Sequence, residues 1–212
     1  MTAGLLLYDH SVSSNALKAR FLLAELGLEY ETTQVPFGQP RPEWYTALNP
    51  FGRIPTLVDG DLVLAESNAI LRYLAHRERR YDLYPLEPAE RAPVEWALDA
   101  WSTQVRPPLF SVERAALFHR DMETGGGSWE EADPGAIEAV RGPAEAALDV
   151  FERFVADNGT VLGRLTIADF AVGPVLWRTN RLPLDFSRWP KAARLREAIA
   201  ARPSFQAAGP VG

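Results

Sequence analysis

Strand signals in this 212-residue chain occur only within its first eighty residues. Helical spacing of apolar residues predicts a helix over residues 14–26, and a second helix begins at Ser67. Short runs that are apolar or alternate in polarity predict strands over residues 5–8, 30–35, 56–58 and 62–65. The resulting order, β-α-β, loop, β-β-α, gives a mixed four-stranded sheet with helices around it, which is a thioredoxin-like α/β arrangement.

A tight hairpin and a helical second half complete the predicted architecture. Asp59-Gly60-Asp61 stands between two apolar runs, and Asp-Gly in that setting predicts a short hairpin turn. From residue 89 onward the patterns are helical, over residues 89–106, 109–120, 134–156, 167–178 and 191–201, with a break or kink at Pro107-Pro108 and a connector at Gly125-Gly126-Gly127. We predict a thioredoxin-like domain at 1–77, a linker at 78–88 and an all-α helical bundle domain at 89–212.

Composition excludes several functional classes. A net charge of -6 argues against a nucleic-acid partner, because such proteins cluster Lys and Arg against phosphates. The chain has no cysteine, so it supplies no disulfide, thiolate metal ligand or thiol nucleophile. His10, His76 and His119 lack ligand spacing, which predicts no metal site. The N-terminal residues lack a signal-peptide pattern and no apolar run approaches about 20 residues, which predicts a cytoplasmic protein without a membrane partner.

The helical half contains one explicit local motif, Leu165-Thr166-Ile167-Ala168-Asp169-Phe170. The Thr166 hydroxyl can cap a helix whose third residue, Asp169, reaches back to the Thr166 amide. Leu165 and Phe170 occupy the positions of a hydrophobic staple. We interpret this motif as structural and assign Asp169 no catalytic role.

Three motifs in the first domain carry a family resemblance. They are Tyr8-Asp9-His10-Ser11-Val12-Ser13-Ser14-Asn15, Asn49-Pro50-Phe51-Gly52-Arg53-Ile54-Pro55 and Ala65-Glu66-Ser67-Asn68-Ala69-Ile70. In order and spacing they resemble the glutathione-site motifs of cytosolic glutathione transferases, specifically of a serine-type, bacterial-like member with motifs related to the phi, theta and nu classes. Residues 166–170 resemble the family's buried capping motif, whereas the rest of the helical half matches mainly in helical character.

The resemblance implies where glutathione binds. Ser67, at the start of a helix, would hold the γ-glutamyl carboxylate, since helix N-termini attract anions, and Glu66 would hold the ammonium group. A plain helix cap is the structural alternative for Ser67. The resemblance also implies a cis Ile54-Pro55 bond, with the Ile54 main chain pairing with the cysteinyl part of glutathione.

Ser13 matches the serine of serine-type transferases, just before the first helix. Its hydroxyl would donate a hydrogen bond to the glutathione thiolate and so lower the thiol pKa. A simple capping role for Ser13 remains the structural alternative. Ser11, Asn15 and Tyr8 remain alternative partners of the sulfur; Asn15 resembles the amide of some bacterial relatives, and Tyr8 stands near the phenol of tyrosine-type members.

Two arginines and a group of helical residues complete the candidate site. Arg41 and Arg53 are candidates for the glycine carboxylate of glutathione, although Pro40 replaces a histidine frequent in the family. Candidates for a second-substrate pocket lie on the helices expected to face the first domain, namely Trp101, Arg106, Phe110 and Phe118. Aromatic residues at helical spacing are also typical of a core.

The sequence therefore predicts a glutathione S-transferase in which the thiolate attacks a small apolar electrophile. Glutathione is the co-substrate, no metal is expected, and the resemblance implies a homodimer. A glutathione-dependent disulfide or peroxide reductase is an alternative, as is a non-catalytic binding module with the same fold. The electrophile itself is not specified by these motifs, because that specificity lies in the divergent helical half.

Overall fold

The computed structural model describes residues 4–118 and 129–210. Its sheet has the strand order β2-β1-β3-β4. β1 pairs in parallel with β2 and antiparallel with β3, and β3 pairs antiparallel with β4. The strands are β1 (Leu5–Asp9), β2 (Tyr30–Gln34), β3 (Thr56–Asp59) and β4 (Leu62–Ala65). The predicted thioredoxin-like arrangement with a helical second half is confirmed.

Helices surround this sheet and make up the described part of the second half. Those of the first half are α1 (Ser14–Leu26), α2 (Glu43–Leu48) and α3 (Ser67–Arg77). Those of the second half are α4 (Pro88–Ala100), α5 (Arg106–Leu117), α6 (Pro134–Phe154), α7 (Ile167–Arg178), α8 (Pro190–Ala200) and α9 (Pro203–Ala207). Short 3-10 turns occupy Trp129–Glu131, Thr179–Arg181 and Phe186–Arg188. Among the described helices none combines the length and apolar composition needed to cross a membrane.

The hairpin between β3 and β4 has the predicted two-residue turn. Gly60 has a φ of 59°, a left-handed conformation that costs glycine little because it has no Cβ. Asp59 pairs with Leu62 across the turn. The local Asp-Gly signal was therefore sufficient to place the turn.

Three stretches differ from the sequence-based expectation. α2 lies within the proline-rich segment predicted as a loop, because six residues are too few to show helical periodicity, while Glu43 suits the positive end of the helix dipole. α9 is equally short. The helix predicted over residues 89–106 ends instead in a π-helical turn, Trp101–Val105, after which Pro107 and Pro108 occupy the first turn of α5. The predicted connector Gly125–Gly127 and His119 lie outside the described residues.

The capping motif of α7 is confirmed. The Thr166 hydroxyl accepts a hydrogen bond from the Ala168 amide, and the Asp169 carboxylate accepts one from the Thr166 amide at 2.8 Å. Asp169 also accepts a bond at 2.8 Å from the amide of Val161, in the preceding loop. Both Thr166 and Asp169 are fully buried. The larger of two clusters of buried apolar residues runs from the sheet through α1 and α3 to α7, the helix that this motif caps.

Candidate active site

The N-terminus of α1 places Ser13 just beyond the end of β1, an inner strand of the sheet. Ser13 is the N-cap residue, and its Oγ accepts a hydrogen bond from the Ala16 amide at 3.2 Å. Its side chain is buried, with 6% of its surface exposed. Because a hydroxyl has one proton as well as lone pairs, Ser13 can cap α1 and still donate a hydrogen bond to a ligand atom.

The peptide bond between Ile54 and Pro55 is cis, as the family resemblance implies. The turn before it is held by Tyr45 and Asn49, whose side chains donate hydrogen bonds to the Arg53 carbonyl and contact the Thr56 hydroxyl. The Ile54 main chain makes no hydrogen bond within the described part of the chain. A buried backbone segment without partners is an edge to which an extended peptide can pair.

Glu66 and Ser67 stand at the start of α3. Glu66 has a φ of 69°, in the left-handed region where a residue with a side chain is strained by about 1 to 3 kcal/mol. Ser67 is the first helical residue rather than the cap, and its hydroxyl has no hydrogen bond to any residue that the structure describes. The capping alternative for Ser67 is therefore wrong. The first amides of α3 also lack intrahelical partners, so this terminus can bind an anion.

These three segments surround one cavity of about 390 Å³. Its lining combines a helix N-terminus, the cis-proline turn and charges of both signs, contributed by Asn15, Phe51, Arg53, Ile54, Pro55, Glu66 and Ser67. A second cavity, of about 550 Å³, adjoins it and shares Asn15, Arg53 and Ile54. Both volumes are in the range of small-molecule sites.

The larger cavity lies between the sheet half and the helical half. From the first half it is lined by Val12, Ser13, Ser14, Asn15, Phe37, Arg41, Arg53 and Ile54. From the second half it is lined by Ser102, Arg106, Pro107, Phe110, Phe118 and Arg178. Ser13 therefore faces a space with one polar wall and one partly aromatic wall.

Comparisons with known proteins agree with this geometry. Residues 3–76 match the family model described as glutathione S-transferase, N-terminal domain, and residues 134–201 match the C-terminal domain model. Glutathione S-transferase 3 of Zea mays is 34% identical over 212 residues, covering 96% of this chain and 92% of the maize protein. The chain belongs to the glutathione S-transferase family. It is a glutathione transferase enzyme.

Two further relatives extend this result. Glutathione S-transferase F10 of Arabidopsis thaliana is 32% identical over 175 residues, covering 76% of this chain and 79% of the relative. The crystal structure of a theta class glutathione S-transferase from Xanthomonas axonopodis pv. citri, with glutathione bound, superposes with a TM-score of 0.84. It is 29% identical and covers 100% of this chain and 99% of the other. The similarity to this transferase extends over both halves of the chain.

The structure brings most of the predicted site residues of this transferase together, but not all. Tyr8 lines neither cavity: its ring packs against Trp44 and Tyr45, with centroids about 6 Å away. Ser11 also lines neither, and its carbonyl accepts a hydrogen bond from Arg20. Tyr8 lies outside the cavities because side chains alternate along β1, which points Tyr8 away from the buried side chains of Leu5 and Leu7.

Trp101, predicted in the second-substrate pocket, is instead a core residue. Only 1% of its surface is exposed, and its ring packs on Phe151 at 5.1 Å. Trp101 begins the π-helical turn, where 100° periodicity no longer tells which side chains share a face. Arg106, Phe110 and Phe118 do line the larger cavity.

The two candidate arginines, Arg41 and Arg53, differ in the contacts that their side chains make. Arg41 donates hydrogen bonds to the carbonyls of Pro36, Gly38 and Gly52, at 2.7 to 2.9 Å, and so ties its own loop together. The side chain of Arg53 is exposed and makes no ion pair within the described residues. Arg53 lines both cavities, whereas Arg41 lines only the larger one. Arg53 is therefore the better placed of the two to meet a carboxylate.

Sequence reasoning missed two buried charges at the larger cavity, Arg178 in its lining and Glu113 beside it. Arg178 ends α7 and donates a hydrogen bond to the Val12 carbonyl at 2.7 Å, which joins the two halves of the chain. Glu113, on α5, lies 3.4 Å from Arg178 and 2.9 Å from Arg106. The available signal for Arg178 was a charge at the end of a helix that is apolar after its first turn. Among the described residues no cluster of three or more His, Cys, Asp or Glu could hold a metal ion.

Lys18 is a buried charge one turn along α1 from Ser14. Only 3% of its surface is exposed, and it makes no ion pair or hydrogen bond within the described ranges. The pKa of Lys18 is lowered to about 7, chiefly by burial and also by the positive charge of Arg106, while Glu66 opposes this shift. The cost of ionising Lys18 is therefore part of the cost of folding.

Replacing Lys18 by methionine should change how stability depends on pH. Between pH 7 and 10 the unfolded chain binds a proton at Lys18 that the folded chain has released, so wild-type stability rises with pH. One pKa unit corresponds to about 1.4 kcal/mol. From pH 7 to pH 10 the free energy of unfolding of the wild type should therefore rise by at most about 4 kcal/mol more than that of Lys18→Met. Urea unfolding at pH 7 and 10 measures it.

Lys191→Met provides the matched control, since Lys191 is the chain's other lysine and is one-third exposed. That variant should keep the wild-type dependence on pH. If the free energy of unfolding changes with pH in the same way for wild type and Lys18→Met, Lys18 keeps its ordinary pKa in the folded protein.

Proposed function

We propose that the smaller cavity binds glutathione. Glu66 would contact its ammonium group, and Ser67 with the first amides of α3 would bind its γ-glutamyl carboxylate. The Ile54 main chain would pair with the cysteinyl residue, and Arg53 would bind the glycine carboxylate, with Arg41 holding the adjoining loop. The observation that carries this proposal is the convergence of these groups, distant in sequence, on one cavity. The theta class relative with glutathione bound supports it.

In this proposal the sulfur lies near Ser13. The cysteinyl residue would sit over Ile54 and Asn15, which belong to both cavities, so its sulfur would point from the smaller cavity toward the larger. There the Ser13 hydroxyl would donate to the thiolate while its oxygen continues to cap α1. Asn15, exposed in the first turn of α1, is the alternative donor.

The larger cavity would take the electrophile. We propose that residues 1–77 form the glutathione domain and residues 89–212 supply the second pocket, joined by residues 78–88. Phe110 and Phe118 provide an aromatic wall, and Arg106 contributes a guanidinium stacked 4.7 Å from the Phe110 ring. An electrophilic halide, epoxide or peroxide bound there would lie opposite Ser13. We further propose that the enzyme acts without a metal and serves detoxification in the cytoplasm.

A homodimer is also part of the proposal. Apolar side chains exposed beside the smaller cavity and on the edge strand β4 would be buried by a second copy: Phe51 is 81% exposed, Leu62 40% and Val63 43%. Contiguous exposed apolar patches are typical of protein interfaces. Sedimentation equilibrium would measure twice the 23.5 kDa chain mass.

Ser67→Ala should weaken glutathione binding. A hydrogen bond to a charged group contributes about 1.5 to 3 kcal/mol, so the dissociation constant should rise about tenfold or more, with thermal stability nearly unchanged. Calorimetric titration with glutathione measures this change. Ser187→Ala removes an exposed hydroxyl remote from both cavities and should bind as wild type. If Ser67→Ala also binds as wild type, the γ-glutamyl assignment is wrong, and absence of wild-type binding at millimolar glutathione would refute the proposed function.

A further inference from the structure

The larger cavity has an unusual charge for a pocket that accepts apolar molecules. Four arginines line it, Arg41, Arg53, Arg106 and Arg178, and no acidic residue does so in the described part of the chain. Arg41 is engaged with backbone carbonyls, and Arg53 is accounted for by the glycine carboxylate of glutathione. Arg106 and Arg178, on the helical wall, therefore remain to be explained.

Glu113 balances only one of these two charges. It lies 2.9 Å from Arg106 and 3.4 Å from Arg178. The side chains of Glu113 and Arg178 are 2% and 4% exposed, and that of Arg106 is 14% exposed. Two guanidinium groups thus share one carboxylate in a region with little access to water. Burying an uncompensated charge is costly, so this cluster favours the arrival of a negative charge.

The remaining contacts of the cluster are neutral. Arg178 donates to the Val12 carbonyl, and Arg106 donates to the Ser14 hydroxyl at 3.2 Å. The Arg106 Nη1 atom is buried and has no hydrogen-bond partner among the described residues. Since buried polar groups are nearly always paired, this donor is the natural contact for an acceptor that enters the cavity.

Arg106 lies close to the proposed position of the reacting sulfur. Ser14, its hydrogen-bond partner, directly follows Ser13, the proposed donor to the sulfur. The Arg106 guanidinium also lies over the Phe110 ring, 4.7 Å from its centroid. An aromatic ring resting on Phe110 and Phe118 would therefore hold one substituent toward Arg106 and its reactive carbon toward the thiolate.

We propose that the second substrate of this transferase is an aromatic or unsaturated electrophile that carries a carboxylate, and that Arg106 binds this carboxylate. The inference rests on the proposed transferase function and specifies its substrate class. With an activated aryl chloride, the thiolate sulfur forms a bond to the ring carbon, the carbon–chlorine bond breaks, and chloride leaves with the electron pair of that bond. No oxidant, reductant or further co-reactant is required.

The test compares two electrophiles of similar shape, 4-chloro-3-nitrobenzoate with a carboxylate and 4-chloro-3-nitrobenzamide with a neutral carboxamide. Each kcat/KM is divided by the uncatalysed rate constant with glutathione, which removes the difference in intrinsic reactivity. We expect the wild-type enzyme to favour the acid by about tenfold, which one charge-assisted hydrogen bond can supply. Arg106→Gln should lower this ratio to near one, chiefly by raising KM for the acid.

Arg188→Gln is the matched control, because Arg188 is an exposed arginine of the helical half, paired with Glu145 outside both cavities. It changes the net charge equally and should keep the wild-type ratio. Thermal unfolding and calorimetric titration with glutathione establish that each variant is folded with an intact first cavity.

Distinct outcomes refute the inference and the proposed function. A wild-type enzyme that uses both compounds without preference, or an Arg106→Gln variant that loses both activities equally, would overturn the carboxylate assignment while leaving the transferase intact. If neither compound is turned over, affinities for the synthetic conjugates S-(4-carboxy-2-nitrophenyl)glutathione and its carboxamide give the same comparison. Equal affinities would overturn the inference, and failure to bind either conjugate or glutathione would overturn the proposed function.

Discussion

Replacing Ser13 by alanine should raise the pKa of the enzyme-bound glutathione thiol by about one to two units and cut kcat at neutral pH about 10- to 100-fold. The reason is that the Ser13 hydroxyl would donate to the thiolate, and a hydrogen bond to a charged group contributes about 1.5 to 3 kcal/mol. Glutathione affinity should change much less, because the contacts at Glu66 and Ser67 do not depend on the state of the sulfur. Thiolate absorbance against pH measures the shift directly.

The control must account for the second role of Ser13 as the cap of α1. Ser13→Thr keeps a hydroxyl that can both cap and donate, and it should recover most of the activity. Loss of the cap alone costs about 0.5 to 2 kcal/mol of stability and leaves the thiol pKa in place. If Asn15→Ala shifts the pKa and Ser13→Ala does not, the amide of Asn15 is the sulfur's partner and the serine assignment is wrong.

Asp169→Ala should destabilise the protein by about 3 to 5 kcal/mol, the largest effect we expect on folding. The Asp169 carboxylate accepts hydrogen bonds from the amides of Thr166 and Val161, both at 2.8 Å, and from the Thr166 hydroxyl at 3.3 Å. Alanine would leave these donors buried without partners, and each unsatisfied donor costs about 1 to 3 kcal/mol. Chemical denaturation measures the change in the free energy of unfolding.

Asp133→Ala is the matched control for this prediction. Asp133 also caps a helix, accepting from the Gly135 amide at 2.9 Å, but it is exposed, so its loss should cost about 1 kcal/mol. The folded Asp169→Ala protein should bind glutathione nearly as wild type, since Asp169 lies in the core and lines neither cavity. Weakened binding with unchanged stability would show that Asp169 has a role in the site.

The candidate site was predictable where a residue's place follows from its own short motif. Ser67 and the cis bond before Pro55 belong to such motifs, and both meet at the smaller cavity. Tyr8 was a sulfur candidate because it stands near, in sequence, the place where tyrosine-type members have their phenol, yet alternation along β1 points it toward Trp44. Nearness in sequence does not determine which face of a strand a side chain occupies within a sheet.

The sequence by itself determined the features that a few consecutive residues can specify. The Asp59-Gly60 turn and the Thr166–Asp169 cap depend on local dihedral preferences and on hydrogen bonds between residues at most three positions apart. The absence of cysteine likewise settled that the chain has no reactive sulfur of its own.

The tertiary structure alone decided the features that join distant segments. It placed Trp101 in the core and brought Arg178 to the Val12 carbonyl, 166 residues away in sequence. It also placed Glu113 between Arg106 and Arg178. It also supplied the second donor to Asp169, the amide of Val161, which the capping motif does not contain. Such contacts depend on how helices pack against each other and against the sheet, and the free energy of that packing is a property of the whole core rather than of any one segment.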